Sequence, residues 1–120
     1  MKSVEFELQR QLDTAAAQCA RLSERIAFLE QCLIDNVRPL EFVAMAEIDD
    51  ATLDLIRRYV SAIEQMEGTR TTERAAADLD AERAELHNEI IARLQARRIV
   101  WDKRGDVTDW AFKVVRWHGK

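Results

Sequence analysis

The residues of this chain that could do chemistry are two histidines, two cysteines and two adjacent arginine pairs, Arg57-Arg58 and Arg97-Arg98. A carboxylate-bridged di-iron bundle needs Glu-x-x-His pairs on facing helices, and the residue three before His87 is Ala84. His87 therefore reads as a surface residue. The chain carries no glycine-rich phosphate loop, no cysteine pair at metal spacing and no Gly-x-Ser-x-Gly elbow. Cys19 and Cys32 stand 13 residues apart in one helical pattern. At a rise of 1.5 Å per residue that is roughly 20 Å, too far for a disulfide. Cys19 reads as a small core residue. Adjacent arginines on a helix point about 100° apart, so neither pair forms one clamp. Arg58 has Asp54 four residues before it, the spacing of a surface ion pair, whereas Arg57 has Leu53. These residues predict a protein without catalytic site, cofactor or metal.

Charge separates the end of the chain from the rest. The net charge of -4 and pI of about 5.2 argue against general nucleic-acid binding, which needs a Lys/Arg excess on some face. Met1 to Ala92 hold 10 basic and 19 acidic residues, but Arg93 to Lys120 hold 8 and 3. Four of the eight aromatics, Trp101, Trp110, Phe112 and Trp117, lie in that basic stretch. Aromatics with arginine are the residue types enriched where binding energy concentrates. The expected partner-binding residues are therefore Arg97, Arg98, Trp101, Lys103, Arg104, Trp110, Phe112, Lys113, Arg116 and Trp117.

Only 3 glycines and 1 proline in 120 residues leave few turns, so the elements that position these groups must be long, and the chain is expected to be all-α. Leu8, Leu12, Ala15, Cys19, Leu22, Ile26, Leu29 and Leu33 recur at alternating steps of 4 and 3, an a/d heptad seam. The first helix should run from Ser3 to Ile34. Pro39 suits the first position of a second helix. Leu40, Val43, Ala46 and Ile48 follow at helical spacing, Asp49 and Asp50 can cap a fresh start, and Leu53, Ile56, Val60, Ile63 and Met66 extend the stripe. The second helix is expected from Pro39 to Glu67, with a short helix followed by a longer one as the rival. Gly68 marks a reversal, with a bent continuous helix as the rival, and Thr69, Thr71 and Thr72 are candidate caps.

A third helix is expected from Thr72 to Arg104, with Ala76, Leu79, Leu86, Ile90, Leu94 and Trp101 on its stripe and the stems of Arg83 and Arg97 laid along it. Val107, Trp110, Val114 and Trp117 then recur at 3, 4 and 3, a short amphipathic helix or else a strand. The architecture expected is an up-down-up three-helix bundle, or antiparallel coiled coil, over residues 1–105. Residues 106–120 form a tail that packs on the bundle or docks a partner. One alternative has that tail fold back with Val107, Trp110 and Val114 buried and Lys113 and Arg116 in water.

The stretch Glu47-Ile48-Asp49-Asp50-Ala51-Thr52-Leu53-Asp54-Leu55-Ile56-Arg57-Arg58 is similar to the helix opening of the all-helical chorismate mutases. That family holds a dianionic substrate with inward Arg and Lys residues, including a mid-fold lysine, and this chain has no lysine between Lys2 and Lys103. The helical segments as a whole resemble the stalk proteins of flagellar and type III export machines, antiparallel coiled coils seated in an ATPase ring. Those proteins open on basic residues; here Val4-Glu5-Phe6-Glu7 is acidic. The function expected is a non-enzymatic helical protein-interaction module, an adaptor, chaperone or stalk-like component. Binding of an anionic polymer or membrane surface through the basic C-terminal segment is the alternative. No run of about 18 apolar residues occurs, so a cytoplasmic protein without a transmembrane segment is expected. Its partner would be another helical protein, its state a homo-oligomer, and it would not bind nucleic acid.

Overall fold

The computed structural model describes residues 2–68 and 73–119, and it is all-α, 84% helical. In chain order the elements are α1 (Lys2–Asp35), β1 (Arg38–Pro39), 3-10 turns at Leu40–Phe42 and Met45–Glu47, α2 (Asp50–Gly68), α3 (Glu73–Ala96), β2 (Ile99–Val100) and α4 (Asp106–His118). The chain divides into two compact units, Met1–Asp35 and Asn36–Lys120.

The first unit is α1 alone, within one residue of its expected bounds at each end. It holds no glycine or proline, and its alanines, leucines and glutamines are strong helix formers. Pairs one turn apart add support: Arg10 meets Glu7, Gln9 donates to Asp13 at 3.0 Å, and Gln31 donates to Asp35 at 3.0 Å. Asn36 follows in the left-handed backbone region (φ 54°), which asparagine tolerates and which ends the helix.

The second unit builds its core from α2, α3 and α4. Arg93 lies opposite Thr52 and His87 opposite Tyr59, so α2 and α3 run antiparallel. The chain reverses between them. Residues 69–72, with the candidate caps Thr69, Thr71 and Thr72, lie outside the described residues. α4 packs against α2. The core gathers Leu53, Ile56, Tyr59 and Val60 from α2, Leu86, Ile90 and Leu94 from α3, and Val107, Trp110, Ala111 and Val114 from α4. Leu40, Val43, Ile48 and Ile99 close it from the connecting segments.

Several expectations need correction. Pro39 does not open an α-helix: its ψ of 141° is extended, it precedes only the 3-10 turn Leu40–Phe42, and Arg38–Pro39 pairs in parallel with Ile99–Val100. α2 instead starts afresh at Asp50. Asp49 is its N-cap; the Asp49 carbonyl accepts from the Leu53 N–H at 2.9 Å and its carboxylate accepts from the Thr52 hydroxyl at 2.5 Å. That hydrogen bond, with the Thr52 backbone N–H and Arg93 adding to it against some desolvation, holds the Asp49 carboxyl below its usual range. α3 stops at Ala96 rather than Arg104. Arg98 takes a left-handed φ of 58°, and the β-branched Ile99 and Val100 then enter the strand, a geometry their side chains favour. Three helices of similar length are not observed, since α1, α2 and α3 have 34, 19 and 24 residues. Cys19 is exposed rather than in a core. His87 is half-buried and stacked on Tyr59, with ring centroids 5.7 Å apart.

Candidate partner-binding surfaces

The C-terminal residues singled out in the sequence fall into three environments. Trp110 is buried in the core at 6% exposure, and its indole N–H has no partner among the described protein atoms. Trp101 and Phe112 are half-buried against the same core. Arg97, Arg98, Lys103, Arg104, Lys113, Arg116 and Trp117 are exposed. Val107, Trp110 and Val114 are buried and Lys113 and Arg116 exposed, and α4 supplies part of the core of the second unit. The spacing i, i+3, i+4, i+7 of Val107, Trp110, Ala111 and Val114 produces one apolar face, and Trp117, three residues beyond Val114 on the same stripe, is nonetheless exposed.

Local bonds fix both ends of α4. Gly105 precedes it at φ 98°, a left-handed conformation suited to glycine, and the Asp106 carboxylate accepts from the Lys103 N–H at 2.7 Å. At the far end His118 Nε2 donates to the Met45 carbonyl at 2.9 Å, and Arg57 Nη2 donates to the His118 carbonyl at 3.4 Å. Arg58 meets Asp54 at 4.0 Å, the ion pair expected from spacing. So the first arginine pair divides its work, as two side chains about 100° apart must.

The basic residues at the end of α3 face carboxylates from the segment before α2. Arg97 Nη2 lies 3.5 Å from Glu47 Oε1, which also meets Arg38, and Arg93 Nη1 lies 3.8 Å from Asp49 Oδ2. Arg98 Nε donates to the Asn36 carbonyl at 3.1 Å. These contacts tie two stretches of backbone together beside the β1–β2 pairing. They also offset the positive charge that the sequence concentrates there.

A second polar group sits where α2, α3 and α4 meet. Tyr59, 2% exposed, shares a 2.9 Å hydrogen bond between its hydroxyl and Thr108 Oγ1 and stacks its ring on His87. Burial, and then the nearby Arg83 charge, push the His87 pKa down. Arg83 donates to Asp80 at 3.0 and 2.9 Å, and that carboxylate raises the guanidinium's own pKa. The group satisfies buried polar atoms and holds three helices in register.

Most of the exposed large apolar side chains among the described residues lie on α1. Leu8, Leu12, Leu22, Ile26 and Leu33, all seam residues, are 55%, 64%, 62%, 55% and 83% exposed. In the second unit Phe42 (60%) and Trp117 (58%) are the large apolar residues exposed among the described residues. Heptad spacing marks this face of α1, and spacing alone does not distinguish a seam packed within the chain from one left exposed. Among the described residues no group of three His, Cys, Asp or Glu side chains could hold a metal ion. Compared with protein-family models, curated proteins and solved structures, the chain matches none.

Proposed function

We propose that this protein is a non-enzymatic helix-docking module, an adaptor or stalk-like component whose working surface is the seam of α1. The observation that carries this reading is the exposure of five large seam residues on a 34-residue helix. Each Leu or Ile that leaves water contributes about 1.5–3 kcal/mol, and helices draw most of their stability from packing an apolar face. A partner helix laid along the seam supplies that packing. The second unit has a core of its own. Two free cysteines suit a reducing compartment, and work in the cytoplasm is part of the proposal.

The engagement of Arg38, Arg93 and Arg97 with Glu47 and Asp49 favours this reading over binding of an anionic polymer. The test compares partner capture by the full chain and by a Leu22→Glu, Ile26→Glu variant, at low and at high salt. Capture that survives high salt and is lost in the variant is expected, because apolar helix contacts are insensitive to salt while phosphate contacts weaken steeply. Capture unaffected by the variant, or abolished by salt alone, overturns it.

A further inference from the structure

We infer that the partner of the α1 seam is α1 of a second copy of this chain, in a parallel two-stranded coiled coil in register. The inference rests on the reading of α1 as a docking arm and names the occupant. The steps of 4 and 3 put Leu12, Cys19, Ile26 and Leu33 at a positions and Leu8, Ala15, Leu22 and Leu29 at d positions. A β-branched a residue between leucine d residues, here Ile26 between Leu22 and Leu29, favours two strands over three or four.

Charge chooses both the partner and the direction. In a parallel pair each g residue meets the e residue five positions on in the other strand, and these contacts set partner choice and orientation. Arg25 occupies g and Glu30 occupies e. A second copy in register therefore places Arg25 against Glu30 of the other strand, and by symmetry does so twice. The flanking positions nearer the N-terminus, Gln11, Ala16, Gln18 and Ser23, carry no charge, so two copies meet no repulsion there. An antiparallel pair sets g against g and e against e. Arg25 then faces glutamine, and the attractive pairs are gone.

The same register gives the inference a sharp readout. Cys19, exposed on α1, stands at an a position and so faces Cys19 of the second copy. In an antiparallel pair it faces a d residue, Leu22 or Ala15. Oxidised glutathione can link two such thiols: an S–S bond forms between the chains, and the two protons and two electrons leave with the reagent as two molecules of glutathione.

The experiment uses the full chain in sedimentation equilibrium from about 1 to 100 µM, followed by oxidised glutathione under otherwise native conditions. A dimer is expected, with a covalent dimer that forms in Cys32→Ser and fails to form in Cys19→Ser. Arg25→Glu places like charges together twice and should weaken the dimer about tenfold. The Arg25→Glu, Glu30→Arg exchange should restore it. A dimer without the Cys19 link, or a trimer, overturns the parallel pair. A monomer throughout the range, with partner capture still lost in Leu22→Glu, Ile26→Glu, overturns the inference and leaves the docking arm standing. Partner capture and association both unmoved by that variant overturn the docking arm as well.

Discussion

α1 and α4 are the longest and the shortest α-helices among the described residues, and their surroundings are opposite. α1 repeats one seam over eight positions, and five of its large seam residues remain more than half exposed. α4 has 13 residues, of which Val107, Trp110, Ala111 and Val114 are buried. A pattern of apolar spacing therefore establishes that a helix forms and which face it covers. What covers that face depends on contacts far away in sequence: α4 meets α2, some fifty residues earlier, through Tyr59 and Thr108.

The largest expected effect comes from breaking α4. A chain that ends at Gly105 loses four buried residues, one of them a tryptophan, from the core of the second unit. Truncating a single buried Trp or Phe costs about 3–5 kcal/mol, and whole domains have only about 5–15 kcal/mol in hand. The second unit should lose its cooperative melt, seen as a broad, shallow transition in near-UV circular dichroism. A truncated chain that melts sharply at the original temperature would return α4 to the role of a docking tail.

A matched pair of smaller changes sharpens the comparison. Ile90, 0% exposed in the second unit, should cost about 2–5 kcal/mol on replacement by alanine. Leu12→Ala on α1, at 64% exposure, should leave the unfolding of the second unit unchanged within about 0.5 kcal/mol. Urea denaturation followed by tryptophan fluorescence reports the second unit selectively, since Trp101, Trp110 and Trp117 all belong to it. Equal losses for the two variants would remove the distinction between an exposed seam and a closed core.

Much of this fold was legible in the sequence because it is local. The α1 bounds and the stripes Leu53, Ile56, Val60 and Leu86, Ile90, Leu94 follow from side-chain spacing within a few turns, whereas Asp49-Asp50 offers a cap that one continuous helix from Pro39 would also accommodate. The β1–β2 pairing did not, because it joins residues about sixty apart; its trace was the β-branched Ile99-Val100 at the end of a segment otherwise rich in helix formers. The burial of the C-terminal aromatics was not legible for a related reason. Trp110 and Trp117 have the same composition signal, yet one is 6% and the other 58% exposed, and only the packing of α4 on α2 tells them apart.

A milder change tests what holds α2 to α4. Tyr59→Phe keeps the ring in place and removes the hydroxyl that meets Thr108 at 2.9 Å. Loss of one such hydrogen bond should cost about 1 kcal/mol, read as a lower urea midpoint with an unchanged slope. No loss would mean that ring packing alone ties α4 in place.

The smallest effect expected is a pH dependence that belongs to the second unit alone. Burial against Tyr59 and the charge of Arg83 lower the His87 pKa in the fold from its ordinary value of 6.5. The folded state thus favours the neutral ring, and at pH values just under 6.5 the unfolded chain binds more protons than the folded one. Stability is then complete above pH 6.5 and falls as the pH drops through the window between 6.5 and the lowered folded value. Asp49 acts elsewhere on the scale: its carboxyl is held below the usual 3.8, so its contribution persists above that value and is lost only as pH falls through the folded pKa. Urea midpoints at pH 7.5 and pH 5 separate the two. His87→Phe can keep the stack on Tyr59 and binds no proton, so the decline between those pH values should shrink in this variant. An undiminished decline in His87→Phe would assign the proton to another group and break the link between the His87 environment and the stability of the core.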